Sequence, residues 1–167
     1  ADAGAYIGNT KDYMRTLYGK LFRCYRVPCA HYRARIISSN TPVSGAYRSW
    51  SAAEEAMMME HNLNVAALRL GMDPIELRLK NALHPGDVAA QSGLPLEEIR
   101  IREAILRGRE LFGWNDKKAA DEQFNASSER WRRGIGVGCG GHGNTYFPRH
   151  NDFACARLAM NEDGSIC

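Results

Sequence analysis

Residues 70–81 read LGMDPIELRLKN, and they set the local fold of the middle of the chain. Gly71 is placed to end a preceding helix, because glycine takes the left-handed conformation that closes helices. Asp73 is then placed to cap a new helix, with Pro74 at its first position and Glu76 in its first turn. The stretch therefore predicts two helices joined by a very short turn.

Helical patterns continue on both sides of this turn. Residues 51–54, Ser-Ala-Ala-Glu, have the form of a capping box, and apolar residues follow at helical spacing as far as Leu70. The helix that opens at Asp73 is expected to end before Pro85. Two further helices are predicted, over residues 12–24 and from about residue 95 to residue 112. The core face expected for the last one consists of Ile101, Ile105, Leu111 and Phe112.

Strand-like patterns lie toward the two ends of the chain. Residues 2–6 form a short, mostly apolar stretch. Residues 31–38 alternate apolar with basic side chains, and residues 153–160 have the pattern of a buried strand. Residues 134–143 predict a glycine-rich strand, and residues 161–164 predict a hairpin turn. We therefore expect an α+β fold with central helices and short strands at both ends.

Composition divides the chain into three parts. Residues 1–114 hold the predicted strand, loop and helices of one domain, and residues 115–130 are polar enough to predict a surface linker. Residues 131–167 are expected to begin a following sheet. The hairpin turn at residues 161–164 has almost no second arm after it, which indicates a fragment of a longer protein.

The overall composition is that of a globular domain. Of 167 residues, 44% are hydrophobic and 25% charged, and the net charge is +3. No run of about 20 apolar residues occurs, so no membrane span is expected. A charge of +3 does not favour nucleic acid as a partner. The five cysteines lack the paired spacing of a zinc site and are expected to be free thiols of a cytoplasmic protein.

Several residues carry chemistry in principle, and each has a plainer interpretation. The glycine run 134–143 lacks the lysine of a phosphate-binding loop. A first-turn carboxylate is more often a partner of the helix dipole than a catalyst. Buried thiols are commoner than redox pairs, and surface histidines are commoner than metal ligands. The first-turn carboxylates in question are Glu54 and Glu55, the thiols are Cys24 and Cys29, and the histidines are His142 and His150.

The loop 39–50 is the most informative stretch for function. Small residues lead through Tyr47, Arg48 and Trp50 into the predicted helix, whose N-terminus presents backbone N–H groups. Arg48 offers a planar fork for an oxyanion, and Trp50 offers a pocket wall. From the residues alone, the alternative that Tyr47 and Trp50 are core anchors is equally open.

The ordered motifs resemble those of the large molybdenum-binding subunit in the xanthine dehydrogenase and aldehyde oxidase family. Each motif is short, but together they span nearly the whole chain in the family's order. The motifs are Gly4-Ala5-Tyr6, Cys24-Tyr25-Arg26-Val27-Pro28, Ser39-Asn40-Thr41-Pro42, Gly45-Ala46-Tyr47-Arg48, residues 70–81, Gly86-Asp87, residues 133–138 and Asp163-Gly164-Ser165.

This resemblance implies a molybdenum hydroxylase that oxidises a heterocycle or an aldehyde with oxygen derived from water. It implies that Ala46, Tyr47 and Arg48 face a molybdenum-pterin dinucleotide, and that Ser49 and Trp50 line the substrate pocket. The family's catalytic glutamate falls outside this chain, and no side chain here is expected to bind metal directly. Members that oxidise carbon monoxide carry cysteine directly after the arginine, so Ser49 does not suit that reaction.

As a fragment, the chain is expected to be inactive alone, to hold no cofactor, and to self-associate through cut sheet edges. Its expected partners are the rest of the large subunit, iron–sulfur and flavin subunits or domains, and a small-molecule substrate. The alternative is a non-catalytic module that binds anions or proteins through local basic clusters. Those clusters are Arg130, Arg132 and Arg133 near one end, and Lys20, Arg23 and Arg26 near the other.

Overall fold

The computed structural model describes residues 1–6, 8, 10–45, 49–90, 93–142 and 155–166. Within them the chain forms helices that each pack on the next along the sequence. In chain order they are α1 (Thr10–Leu21), α2 (Ala52–Leu70), α3 (Pro74–Asn81), α4 (Ile101–Phe112) and α5 (Trp114–Ser127).

The turn between α2 and α3 confirms the prediction from residues 70–81. Gly71 takes the left-handed conformation, with φ of 61°, and closes α2. The Asp73 carboxylate accepts a hydrogen bond of 2.8 Å from the Ile75 N–H and so caps α3. Its other oxygen accepts hydrogen bonds from the Trp114 indole and the Lys118 ammonium, each at 3.1 Å. One aspartate therefore starts α3 and attaches α5 to it.

The predicted capping box at residues 51–54 is wrong, although α2 does begin there. Ser51 has a φ of 72°, which is left-handed rather than the extended conformation of an ordinary cap, and its side chain caps no backbone N–H. Its hydroxyl donates to the Glu55 carboxylate instead. The left-handed backbone directs the hydroxyl away from the N–H groups of the first turn.

Helix α4 is shorter than predicted and buries fewer side chains. It begins at Ile101 because Pro95, the predicted start, pairs with Val88 in an isolated antiparallel bridge. Ile105 is buried as expected, but Leu111 and Phe112 are exposed. The left-handed Gly113 ends α4, and Trp114, the first residue of α5, is buried in the core in their place. The resulting cluster consists of Ile75, Leu79, Ile105 and Trp114.

Most of the segment predicted as a linker, residues 115–130, is helical. The segment is polar, but its Lys, Ala, Asp, Glu and Gln residues are all compatible with a helix. Polarity alone was therefore not enough to predict a linker. Trp114 and Lys118 fasten α5 to Asp73. That this segment separates two domains remains a prediction.

The predicted strands at both ends are not confirmed. Among the described residues, strand pairing is limited to isolated β-bridges. The described part of the chain is therefore rich in helix rather than mixed α+β. Residues 155–160, predicted as part of a buried strand, are exposed, and Met160 forms an isolated bridge with Ile166, while residues 153–154 lie outside the described residues. The predicted hairpin turn is confirmed. The bridges are Asp2–Ile37, Tyr25–Ala82, Val88–Pro95 and Met160–Ile166.

The glycine-rich segment crosses the helices without a ladder partner in the described part of the chain. Ile135, Val137 and Cys139 alternate with exposed residues and pack against the Ile75 cluster. A β-carbon on Gly141 would lie 3.4 Å from the β-carbon of Arg23, so this segment passes close to the chain after α1. Residue 143 lies outside the described residues.

Among the residues whose burial is described, Arg78 is the most completely buried polar side chain, with no exposed surface. Its guanidinium donates to Glu60 at 2.8 Å, to Asn64 at 2.8 Å and to the Pro74 carbonyl at 2.9 Å. The Tyr25 hydroxyl donates to the second Glu60 oxygen at 2.6 Å. This network joins α2, α3 and the segment that follows α1.

Replacing Arg78 with Met is expected to destabilise the fold by about 3–5 kcal/mol, because Glu60 would remain buried without its cation. Arg107→Met is the matched control, since the Arg107–Glu110 pair is exposed and is expected to contribute less than about 1 kcal/mol. Urea denaturation followed by circular dichroism measures both. Equal losses in the two variants would contradict the assignment.

Replacing Gly4 with Ala is expected to cost about 2 kcal/mol or more. Gly4 is left-handed, with φ of 73°, and an added β-carbon would overlap the Pro42 carbonyl. Gly108→Ala in α4 is the control, because open space surrounds that position and a helix favours alanine. A Gly4→Ala variant as stable as Gly108→Ala would show that residues 1–6 do not pack on the 39–44 loop.

Candidate functional site

The predicted site residues fall on the approach to α2. Ala46, Tyr47 and Arg48, predicted to face the cofactor, lie outside the described residues. Ser49 and Trp50, predicted to line the substrate pocket, are half-buried and form the turn that leads into α2. The site therefore has to be judged from this turn and from the groups that hold it.

The turn is strained over three consecutive residues. Ser49, Trp50 and Ser51 have φ of 89°, 47° and 72°, respectively, and these are the positive-φ non-glycine residues among those described. A non-glycine residue in this region costs on the order of 1 kcal/mol or more, so such a run persists only where its surroundings hold it. Strain of this kind is concentrated at functional sites.

Lys20, at the end of α1, holds the backbone of the turn. Its ammonium donates to the Ser49 carbonyl at 3.3 Å and to the Trp50 carbonyl. The Ser49 carbonyl also accepts from the Ala52 N–H at 3.2 Å, and His142 Nε2 lies 2.9 Å from it. Burial lowers the pKa of Lys20, and the nearby Glu55 carboxylate opposes that shift.

Glu55 lies beneath the same turn and is only 2% exposed. The Ser51 hydroxyl donates to its Oε1, while no group in the described part of the chain donates to its Oε2. Burial raises the pKa of Glu55 to about 7, against the opposing effects of the Ser51 hydroxyl, Lys20 and Arg23. Near neutral pH this carboxyl therefore exists in both protonation states.

The sequence contained a signal for Glu55 that its first-turn position obscured. Glu55 falls between Ala52 and Met59, at the helical spacing of the apolar face of α2. A carboxylate on an apolar face is either buried with partners or placed at a site. Its exposed neighbour Glu54 is the ordinary first-turn residue that we expected at both positions.

A narrow crevice of about 20 Å³ lies beside Glu55, enough for roughly one water molecule. It is too small for an organic ligand. Burial raises the pKa of Cys24 to about 11, so the Cys24 thiol in this crevice is a poor nucleophile at neutral pH. The wall of the crevice includes residues of α2, of the chain after α1 and of the glycine-rich segment: Arg23, Cys24, Glu55, Glu60, Cys139 and Gly140.

The other predicted candidates are not gathered into a site. Cys24 is buried and Cys29 exposed, and both are free thiols. His150 lies outside the described residues, while His142 contacts the turn through Ser49. Among the described residues, no group of three His, Cys, Asp or Glu side chains is placed to hold a metal ion. None of the described helices is long and apolar enough to cross a membrane.

The arrangement suits an oxygen-rich anionic group near the turn. The positive end of the 19-residue helix α2 lies there, and Lys20 and Arg23 add positive charge. Glu55 opposes them only in part, because it is partly protonated near pH 7. The rigid turn fixes the Trp50 backbone relative to this positive region.

Comparisons with known proteins agree with the ordered motifs. Residues 1–82 match the family profile of the molybdopterin cofactor-binding domain. A xanthine dehydrogenase molybdenum-binding subunit from Escherichia coli O157:H7 is 30% identical over 99% of this chain. A putative xanthine dehydrogenase molybdenum-binding subunit from Escherichia coli K12 is 34% identical over 83% of it.

A solved structure, aldehyde oxidoreductase from Desulfovibrio gigas, superposes with a TM-score of 0.64 at 26% identity, covering 77% of this chain and 14% of that one. The chain spans 22% of the first E. coli relative and 18% of the second, about a fifth of each. Sequence motifs, family profile and structural likeness all indicate the same family. Together these findings support placing the chain in the molybdenum hydroxylase family, alongside xanthine dehydrogenase molybdenum-binding subunits and aldehyde oxidoreductase.

Proposed function

We propose that the chain forms one wall of the active site in a molybdenum-dependent hydroxylase or dehydrogenase. In this proposal Ala46, Tyr47 and Arg48 face the cofactor, and Ser49 and Trp50 line the substrate pocket. The observation that carries the proposal is the left-handed turn 49–51, strained and held by Lys20, at the end of the loop whose motif resembles the family's.

The cofactor of the proposal is a molybdenum-pterin dinucleotide. The positive end of α2 suits its phosphates and oxygen atoms, which supports a fit between this helix terminus and the group. When bound, the cofactor supplies two-electron oxidation with oxygen derived from water. The contribution of this chain is to hold backbone donors and a pocket wall in fixed positions.

The substrate class of the proposal is a flat heterocycle or an aldehyde. Trp50 presents an aromatic surface on a backbone that cannot rotate freely, since Lys20 holds the carbonyls of Ser49 and Trp50. A fixed aromatic face orients a planar substrate by stacking. Ser49 stands beside it as a small polar side chain.

The proposal gives the chain several partners. The rest of the large subunit would supply the catalytic glutamate, and iron–sulfur and flavin subunits or domains would carry the electrons away. Without them the chain is inactive and holds no cofactor.

In the same proposal, residues 1–114 belong to the cofactor-binding domain and residues 131–167 to the next sheet. We place the enzyme in the cytoplasm, in keeping with the free thiols among the described cysteines.

The alternative, an anion- or protein-binding module, is less well supported by the basic clusters. Lys20 is committed to the turn, and Arg132 donates to the Ser128 and Trp131 carbonyls. Arg133 lies over the Phe124 ring, with 3.8 Å between its guanidinium carbon and the ring centroid. Such internal contacts leave less charge available for a ligand. Binding of a polyanion that weakens steeply with salt would support the module instead.

Replacing Trp50 with Ala in the complete oxidoreductase is expected to lower kcat/KM for a planar heterocycle about tenfold, equivalent to ~1.4 kcal/mol. Molybdenum content, measured by mass spectrometry of the purified protein, should stay unchanged. Trp131→Ala is the matched control, because Trp131 is exposed and far along the chain from the turn.

Two results would contradict the proposal. One is a purified complete protein without molybdenum. The other is an equal effect of Trp50→Ala and Trp131→Ala on kcat/KM, which would show that Trp50 has no special place in the pocket.

A further inference from the structure

Glu55 is the one buried carboxyl attached to the strained turn among the described residues. Its Oε1 accepts from the Ser51 hydroxyl, and it is 2% exposed. Its Oε2 is also buried and has no donor within the described part of the chain. Within the described part of the chain, the fold therefore buries a carboxyl group whose one side-chain hydrogen bond comes from the strained turn.

The turn is thus held from two sides by ionisable side chains. Lys20 holds the carbonyls of Ser49 and Trp50, and Glu55 holds Ser51. Each of the three left-handed residues therefore has at least one hydrogen bond with Lys20 or Glu55. Releasing either side lets the run relax toward ordinary backbone conformations, because nothing in its own preferences favours φ above zero.

Charged and titratable groups from several elements face this carboxyl. Lys20 and Arg23 stand at the end of α1 and just beyond it, and both favour the carboxylate. Tyr32 interacts with Glu55 from the chain between α1 and α2, and Glu54 does so from α2 itself. Glu60, Cys24, Tyr25 and Cys139 share the crevice beside it.

We propose that Glu55 is a positioning residue for Trp50, and that its protonation state sets how firmly the 49–51 turn is held. The inference rests on the proposed function, since it gives the turn its role in the substrate pocket. Glu55 itself touches neither substrate nor cofactor in this account; it acts through Ser51 and the backbone of the turn.

The direction of the pH effect follows from burial. Because burial raises the pKa of Glu55 from an ordinary value of 4.5 to about 7, the neutral carboxyl favours the closed turn and the carboxylate favours an opened one that reaches water. The stabilisation is full below about pH 4.5 and is lost as the pH rises through 7. Between pH 6 and pH 8 the population of the opened turn should rise about tenfold.

Hydrogen–deuterium exchange of the full chain measures this opening directly. Protection factors for peptides covering residues 49–56, corrected for intrinsic exchange, are expected to fall about tenfold from pH 6 to pH 8. Glu55→Gln keeps an acceptor for Ser51 but cannot ionise, so its protection factors should be equal at the two pH values. Glu54→Gln is the matched control, with the same charge change at an exposed position, and should behave as the parent chain does.

Ser51→Ala tests the link from the carboxyl to the turn. It removes the hydroxyl donor and should lower protection of residues 49–56 at pH 6 below that of the parent chain at the same pH, while circular dichroism shows the helices retained. Equal protection at pH 6 and pH 8 in the parent chain would overturn the inference. A loss of the pH effect in Glu54→Gln as well would also overturn it.

In the complete oxidoreductase, Glu55→Gln should remove the part of the KM pH profile that titrates near pH 7 and leave kcat comparatively unchanged. A KM profile that Glu55→Gln leaves unchanged overturns the positioning role. The exchange measurement needs no metal, so a complete protein without molybdenum overturns the proposed function separately and leaves the exchange result to decide whether Glu55 controls the turn.

Discussion

A guanidinium group with no exposed surface fixes the arrangement on which the candidate site depends. Arg78 joins α3 to α2 through Glu60 and Asn64, and Glu60 in turn receives the Tyr25 hydroxyl from the chain after α1. Breaking one partner of a buried ion pair leaves the other charge uncompensated. The network therefore sets where the N-terminus of α2 lies relative to the end of α1.

That relative placement is what allows the left-handed turn to exist. Lys20 can reach the carbonyls of Ser49 and Trp50 only because α1 ends beside the start of α2. Glu55, in the first turn of α2, then accepts a hydrogen bond from the Ser51 hydroxyl. The strain of the turn is thus offset by contacts from Lys20 and Glu55, whose positions the Arg78 network fixes.

The sequence predicted the features that local chemistry determines. Gly71 and Asp73 act within a few residues, and the structure confirms both. The left-handed turn before α2 is held in part by Lys20, which lies 29 and 30 positions before the residues whose carbonyls it contacts, so a local capping rule could not predict it. The burial of Glu55 and the exposure of Phe112 likewise follow from tertiary packing. Strand patterns near the ends predicted a sheet, but the described residues supply only isolated bridges.

The candidate site was only partly within reach of sequence reasoning. The motif order indicated the family, and relatives and solved structures agree with it. The supporting role of Lys20 was not visible, because Lys20 belongs to no motif, and the signal for the burial of Glu55 was obscured by its position in the first turn of α2. The most direct test of the central claim is anomalous diffraction at the molybdenum edge from crystals of the complete protein. The account predicts a metal peak beside the turn formed by Ser49, Trp50 and Ser51; a peak remote from that turn, or none, would contradict it.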